Sequence, residues 1–516
     1  MPFVNSLVSW YLKRRLPAFE EILNNPQQVQ HDQLMRLLRA AQITEFGRQY
    51  DYKSIHNLET FKQRVPVTNY DDFKHYIERM MQGEQNILWP SEVRWFAKSS
   101  GTTSAKSKFI PVTYESLEEC HYQGGKDLLL TYLMQKPESE IFNGKGLVMG
   151  GSHQINQENN ESFFGDLSAV MIQNMPIWVH YLRTPDLSIA IMDDWDKKIE
   201  KMARATINEN VTNISGVPTW TIVLIEKLFE LSGRNNLTDI WPNLELYVHG
   251  GVSFTPYRKR FDELIKGSQV NYLETYNASE GFLGIQDRMN RDDMLLMLDY
   301  GVYFEFMPMS EIGREFPQTL SLDQVSINEN YALVISTNSG LWRYLIGDTI
   351  KFTSTHPFRF KITGRTKHFI NAFGEELMIE NADFAINHAC VQTDALLADY
   401  TAAPIYLSSQ TKGGHEWLIE FEREPVCMDT FVNELDQTLK QKNSDYEAKR
   451  FKDMAMLKPL VKSLPKGTFY KWLKRSDKLG GQHKVPRLSN HRNFVEDILQ
   501  MQRGDQPEEV LKGTSS

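Results

Sequence analysis

The residues best suited to chemistry stand in 99-SSGTTSAKSKFIPVT-113, where hydroxyl side chains, one glycine and two lysines precede an apolar, strand-like run. Hydroxyl groups, the N–H groups of a flexible loop and lysine ammonium groups all bind phosphate oxygens. The stretch is not a Walker A loop, because no glycine precedes Lys106 and the spacing from Gly101 is one residue short. Taken alone, it is equally compatible with a phosphate cradle and with a solvated Ser/Thr loop.

Three further turns could complete such a site, and each follows a strand-like run: 249-HGGVSF-254, 276-YNASEG-281 and 341-LWRYLIGDTIKF-352. Paired glycines let a backbone approach a flat ligand closely. Tyr276 could stack on a base, Glu280 could hold a magnesium ion, and Asp348 could bind a ribose diol. Each turn alone is also compatible with ordinary loop structure. Their order after successive strands favours one ligand site at the carboxyl ends of a sheet.

The segments that must position these residues predict an α/β fold. Helical spacing of apolar residues recurs at 30–42, 71–81, 194–210 and 218–233. Short strands are predicted at 146–151, 211–218, 244–251 and 270–276, so that strands alternate with helices in a covered, mixed sheet. Strand patterns at 302–309, 331–337 and 358–364 lack long helices between them, which indicates a more antiparallel section. We expect a large N-terminal domain, residues 1–363, and a small α+β C-terminal domain, residues 364–516.

Composition narrows the class of protein. The 516 residues are 41% hydrophobic and 24% charged, as in ordinary globular proteins. A net charge of −9 disfavours nucleic acid as a partner. The three cysteines form no CxxC pair, which fits a cytoplasmic protein without a thiolate-bound metal. The N-terminal segment lacks the order of a signal peptide, and we expect a docked helix with Leu7, Trp10 and Tyr11 on one face. No apolar run is long enough to span a membrane.

The ordered motifs resemble those of the acyl acid amido synthetases of the auxin-responsive (Gretchen Hagen) family, in its bacterial branch. That family belongs to the adenylate-forming superfamily of luciferases and acyl-CoA synthetases. The resemblance covers nearly the whole chain and rests on SSGTTSAKSKFIP, HGG, YNASEG and YLIGD. It implies a ligase that uses ATP and Mg²⁺ to convert an acyl acid to an acyl-adenylate with release of pyrophosphate. An amino acid amine then takes the acyl group, and AMP is released.

The resemblance also implies roles for individual residues. The phosphates of ATP would be held by Ser99, Ser100, Gly101, Thr102, Thr103 and Lys106. The remaining nucleotide contacts would come from Gly250, Gly251, Tyr276, Asn277, Ser279, Asp348 and Arg365. Glu280 would hold magnesium and act in catalysis. Ser104 and Ala105 occupy positions where relatives often have glycine. This difference leaves the detailed geometry of the bound nucleotide open.

Two further regions receive implied roles. Lys484, in the glycine-rich stretch 479-LGGQHKVPRL-488, would be catalytic and reach the site when the small domain closes near Gly364 and Arg365. Val217 and Trp220 are candidates for the acyl-acid pocket.

Two other functions stay open. An acyl-CoA synthetase shares the adenylation step, but such enzymes usually carry a Gly-Arg-x-Asp hinge motif, whereas Thr366 and Lys367 follow Arg365 here. A non-catalytic binding protein predicts loss of the charged positions, and these are present. The expected partners are small molecules, an acyl acid and an amino acid, with no nucleic acid or membrane and with a monomer as the default.

Overall fold

The computed structural model describes most of the chain: residues 2–99, 108–149, 156–157, 162–192, 194–251, 254, 257–267, 270–366, 369–370, 372–373, 375, 377–405, 413–443, 446–447, 450, 456–475 and 485–503. Two compact units are present. The first comprises Met1–Phe254, Arg260–Thr366 and Gly480–Gln482, and the second comprises Thr255–Lys259, Lys367–Leu479 and His483–Ser516. The domain limits at 363 and 364, and the roles given to the two domains, stay predictions.

The first unit begins with helices α1 to α6: Pro2–Lys13, Leu16–Asn24, Pro26–Ala41, Glu45–Gln49, Leu58–Arg64 and Tyr70–Met81. The helices predicted at 30–42 and 71–81 are therefore confirmed. The predicted contact face of α1 was wrong, because Trp10 and Tyr11 are 57% and 54% exposed. Val8 and Leu12, one helical turn apart, face the core instead.

A small sheet contains both ends of the first motif, residues 99–113. Its strands β1, β2, β4 and β5 span Trp95–Ser99, Lys108–Val112, Asn156–Gln157 and Phe163–Gly165. Strands β1 and β2 are antiparallel, with Ser99 opposite Lys108. Residue 99 and residue 108 are therefore neighbours, and the rest of the motif connects them along the chain.

In the described part of the chain, eleven strands form the main sheet, in the order β12-β13-β14-β15-β11-β10-β9-β8-β7-β3-β6. Strands β3 and β6 to β11 span Lys145–Val148, Arg183–Thr184, Val211–Ser215, Leu246–Gly250, Asn271–Ala278, Gly281–Ile285 and Met294–Leu296. Strands β12 to β15 span Val302–Pro308, Asn330–Thr337, Tyr344–Thr355 and Phe358–Arg365. The end of the sheet from β6 to β9 is parallel, and the strands beyond β9 are antiparallel. The predicted mixed sheet is confirmed.

Helices α7 to α12 span Tyr122–Gln135, Leu167–Asn174, Leu187–Ala190, Trp195–Thr206, Pro218–Ser232 and Arg258–Leu264. Proline at the first position of α11 fits the fixed φ of that residue, and Gly233 ends this helix with a φ of +70°. The helices predicted at 194–210 and 218–233 are confirmed. These helices cover a sheet whose parallel strands end together at one edge.

The second unit is an α+β structure. Strands β16 to β18 span Leu396–Ile405, Gly414–Arg423 and Leu460–Leu464, and helices α13 to α16 span Ile379–Gln392, Met428–Lys442, Thr468–Arg475 and Asn493–Arg503. Trp417, Phe431 and Leu435 lie in its hydrophobic core. Within the described ranges of both units, no helix is long and apolar enough to cross a membrane.

Candidate active site

The glycine pair after β8 lets two strands approach closely. A Cβ at Gly250 would lie 2.5 Å from the carbonyl oxygen of Thr275 on the neighbouring strand β9. Gly251 has a φ of +79°, which disfavours a side chain for a different reason. Both positions therefore require glycine. The backbone of Gly250 lies against Thr275, the residue that precedes Tyr276.

Three of the predicted nucleotide residues form one hydrogen-bonded network. The hydroxyl of Tyr276 donates to Oδ2 of Asp348 at 2.6 Å, and Nε of Arg365 donates to Oδ1 at 2.7 Å. Asp348 and Arg365 are direct partners across strands β14 and β15, which explains how the sheet register brings them together. The charge of Asp348 raises the pKa of Arg365. Burial and this carboxylate raise the pKa of Tyr276, which remains a donor.

The turn between β9 and β10 holds two buried polar side chains. Oγ of Ser279 is buried and has no hydrogen-bond partner among the described residues. Burial raises the pKa of Glu280; Asp348 raises it further, whereas the nearby ammonium of Lys108 lowers it. Lys108 lies where the first motif joins β2, so the structure brings the first and second motifs into electrostatic range. An unpartnered donor beside a buried carboxylate suits a ligand that supplies oxygen atoms or a cation.

Sequence reasoning missed His121, which contacts the second motif. His121 ends a π-helical segment, Ser116–His121, and its Nδ1 lies 2.8 Å from Oδ1 of Asn277. Burial lowers the pKa of His121 to about 4, so the ring is neutral near pH 7 and Nδ1–H can donate to the amide oxygen. π-helical segments are frequent at functional sites. No local pattern in the sequence marks this one.

The two predicted acyl-pocket residues stand at the same edge of the sheet. Val217 precedes α11, and its carbonyl accepts hydrogen bonds from the N–H and hydroxyl of Thr221. Trp220 is half-buried in the first turn of this helix. The strand that leads to them, β7, pairs with β8 up to Ser215 opposite Val248. They therefore follow a strand adjacent to the one that ends in Gly250.

Several predicted residues lie outside the described part of the chain: Ser100, Gly101, Thr102, Thr103, Lys106 and Lys484. The backbone of Ser99 is described as the last residue of β1, and its side chain is not. The described residues that come together are Tyr276, Asp348 and Arg365, with Glu280 in electrostatic range of Asp348. Asn277 joins this edge of the sheet through His121.

The mixed sheet and its covering helices have the fold of two solved enzymes, a CoA ligase and an acyl acid amido synthetase. A 2-hydroxyisobutyryl-CoA ligase in complex with 2-HIB-AMP matches with a TM-score of 0.59 at 13% identity, over 92% of each chain. The GH3.15 acyl acid amido synthetase matches with a TM-score of 0.76 at 18% identity, over 94% of this chain and 96% of that one. The likeness establishes the fold.

The chain belongs to the GH3 family. Its residues 15–270, 295–365 and 380–493 match, in order, the N-terminal, central and C-terminal domains of that family. The indole-3-acetic acid-amido synthetase GH3.3 of Arabidopsis thaliana is 22% identical over 94% of this chain and 93% of that protein. The jasmonoyl–L-amino acid synthetase JAR4 of Nicotiana attenuata is 24% identical over 66% of this chain and 69% of that protein.

Proposed function

We propose that the protein is an ATP-dependent ligase that adenylates a carboxylic acid and transfers the acyl group to an amino acid. Membership of the GH3 family carries this proposal, and the curated relatives are named as enzymes that join an acid to an amino acid. The site supports it, because an aromatic ring, a fixed carboxylate and a guanidinium group meet beside a second buried carboxylate. These groups match the base, ribose and phosphates of a nucleotide.

In the first step, a carboxylate oxygen of the acid attacks the α-phosphorus of ATP. The bond from this phosphorus to the bridging oxygen of the β-phosphate breaks, and pyrophosphate leaves. Asp348 would accept hydrogen bonds from the ribose hydroxyls while Tyr276 and Arg365 fix its orientation. The unpartnered Oγ of Ser279 would donate to a phosphate oxygen. Positioning and charge stabilisation dominate such a reaction.

In the second step, the amine of an amino acid attacks the acyl carbon of the adenylate. The carbon–oxygen bond to AMP breaks, AMP leaves, and the nitrogen loses a proton as the amide forms. The relatives include an indole-3-acetic acid-amido synthetase and a jasmonoyl–L-amino acid synthetase, and an acyl acid amido synthetase of the same fold has been solved in complex with 2,4-DB. We extend to this chain only the class, an organic acid with an apolar body, for which Val217 and Trp220 are the proposed pocket residues.

A magnesium ion fits the residues that the structure describes. No group of three or more His, Cys, Asp or Glu side chains that could hold a metal occurs among them. Mg²⁺ is commonly held by one or two carboxylates together with substrate phosphates. Glu280 is the proposed carboxylate, because it is buried, its pKa is raised, and a cation would stabilise its ionised form. Bound there, Mg²⁺ would neutralise charge on the phosphates.

The remaining assignments are proposals that rest on the family resemblance. Ser99, Ser100, Gly101, Thr102, Thr103 and Lys106 would cradle the phosphates, and Gly250, Gly251 and Asn277 would complete the nucleotide site. Lys484 would stabilise charge during adenylation when a domain of residues 364–516 closes on a domain of residues 1–363. A cytoplasmic monomer stays our proposal; it fits the free state of Cys120, Cys390 and Cys427.

Nucleotide product analysis tests the function. The protein is incubated with Mg-ATP, a pool of carboxylic acids and a pool of amino acids, and AMP is separated from ADP. Acid-dependent AMP and pyrophosphate, together with amide formation on addition of amino acids, are expected. Acceleration by coenzyme A in place of amino acids would favour an acyl-CoA synthetase. ADP as the product would refute adenylation.

A further inference from the structure

One buried arginine of the first unit lacks a counter-charge. Arg183 lies on β6, at the edge of the main sheet, with a relative exposure of 8%. Its Nε and Nη2 are buried and have no hydrogen-bond partner in the part of the chain that the structure describes. Nη1 contacts only a weak acceptor, Sδ of Met175, at 3.4 Å. Three N–H donors of a cation, one on Nε and two on Nη2, are thus buried without an acceptor among the described residues.

Other buried arginines of the chain are paired in the usual way. In each case a carboxylate lies within hydrogen-bond distance: Arg343 with Glu305, Arg359 with Asp287 and Arg450 with Asp436. Among the described residues, no carboxylate forms an ion pair with Arg183, and burial lowers its pKa to about 10 with a weak opposing influence from Tyr122. Burial of an unpaired charge is costly, so such a group normally meets a counter-ion from a ligand.

The surroundings of Arg183 are connected to the candidate active site. Tyr122, whose hydroxyl donates to the carbonyl of Met171, begins α7 directly after His121. His121 in turn contacts Asn277 in the second motif. Gly125 lies on the same face of α7, one turn beyond Tyr122, and a Cβ there would meet nothing within 4 Å. The space directly beside Gly125 is therefore open.

The sheet register places Arg183 well away from the nucleotide residues. Strand β6 is separated from β9, the strand that contains Tyr276, by β3, β7 and β8. At a spacing of about 4.8 Å, four steps between strands correspond to roughly 19 Å. Arg183 therefore lies far from Tyr276, the residue proposed to stack on the base. The remaining candidate partner for Arg183 is a group of a substrate at a point remote from the nucleotide.

We propose that Arg183 binds a carboxylate carried by one of the two organic substrates, at a point remote from the nucleotide. This inference rests on the proposed ligase function and extends it to the substrate class. The separation favours a second carboxylate at the far end of the acyl acid. The α-carboxylate of the amino acid offers the same chemistry, and a planar guanidinium group pairs with either in a bidentate manner.

Melting temperatures of the full-length protein without ligand give the first test. Arg183→Met replaces the cation by an apolar side chain of similar length, and Arg359→Met is the matched control for a buried, paired arginine. Arg183→Met should melt at or above the temperature of the wild type, whereas Arg359→Met should melt lower because Asp287 loses its partner. An equal loss in both variants would mean that Arg183 is structural, and would overturn the proposal.

Binding gives the second test. Acids of matched skeleton are compared, hexanoate with adipate and benzoate with terephthalate, through KM for AMP formation and through the thermal shift that each causes. Alanine and alaninamide are compared as acceptors. Preference of the wild type for the extra carboxylate should fall about 10- to 100-fold in Arg183→Met and partly recover in Arg183→Lys. If the preference is lost in the comparison of acids, the carboxylate that binds Arg183 belongs to the acyl acid. If it is lost in the comparison of alanine with alaninamide, that carboxylate belongs to the amino acid.

The two proposals fail differently. Absence of AMP from every acid would refute the ligase function, while the thermal shifts caused by adipate and terephthalate would remain measurable. If no probe in either arm distinguishes the wild type from Arg183→Met, the role of Arg183 is refuted whatever the activity.

Discussion

Gly250→Ala isolates the close approach of strands β8 and β9. The added Cβ would lie 2.5 Å from the carbonyl oxygen of Thr275, so this backbone would have to move by about 0.9 Å to restore a 3.4 Å contact. Forcing an extra carbon into a tightly packed position costs about 1–3 kcal/mol. Since Tyr276 follows Thr275 directly, we expect the displacement to reach the nucleotide residues. A cost of that size corresponds to about a 10- to 100-fold loss in kcat/KM for ATP.

The assay is AMP formation at varied ATP, together with the melting temperature. The matched control is Gly414→Ala, also a glycine on a strand, where a Cβ would lie 3.5 Å from its nearest neighbour, the carbonyl oxygen of Leu457. This variant should keep kcat/KM and melt close to the wild type. If Gly250→Ala retains kcat/KM for ATP within twofold, the close approach at this position is not required, and the role of the glycine pair is refuted.

Three other changes test the network around the second motif. Glu280→Gln should lower AMP formation at least about 100-fold. Burial raises the pKa of Glu280 above its ordinary 4.5, so ionisation of this side chain destabilises the folded wild type at high pH. Without magnesium or ATP, the variant should therefore melt at a higher temperature than the wild type at pH 8, and the difference should vanish below pH 4.5. Equal melting temperatures at pH 8 would contradict this reasoning. His121 has a pKa of about 4 when folded, so wild-type stability should fall by about 3 kcal/mol as the pH drops from 6.5 to 4. Urea unfolding of His121→Gln should lack that fall, and an unchanged pH profile would exclude the buried imidazole as its cause. Tyr276→Phe keeps the ring and removes the donor to Asp348; KM for ATP should rise about tenfold, and more in Tyr276→Ala, whereas equal effects would argue against stacking.

The sequence predicted a large part of the fold. Apolar spacing predicted the helix that became Tyr70–Met81, and the structure adds the capping box of Asn69 and Asp72 that begins it. The strand ending at Gly250 and the antiparallel section from Val302 were likewise confirmed. These predictions succeeded because periodicity and turn residues are local properties of the chain. The prediction of the contact face of α1 was wrong because the sequence does not determine which of the two apolar stripes of this helix packs against the core.

The sequence predicted the motifs of the candidate site but not the contacts between their side chains. Tyr276, Glu280 and Asp348 were recognised from their types and positions after strands. That one hydroxyl joins Tyr276 to Asp348, 72 residues away, follows from the order of the strands in the sheet. The contact of His121 with Asn277 depends on a packed helix start that no local pattern predicts.

The sequence by itself determined the family, the class of reaction and the local elements, because residue types and their spacing along the chain carry that information. Only the tertiary structure decided which polar groups find partners. Nothing in the sequence distinguishes Arg183 from other arginines. It differs from Arg359 because the fold brings a carboxylate to Arg359, whereas no described carboxylate pairs with Arg183. Burial and ion pairing depend on residues distant in the chain, so they become defined only when the sheet has formed.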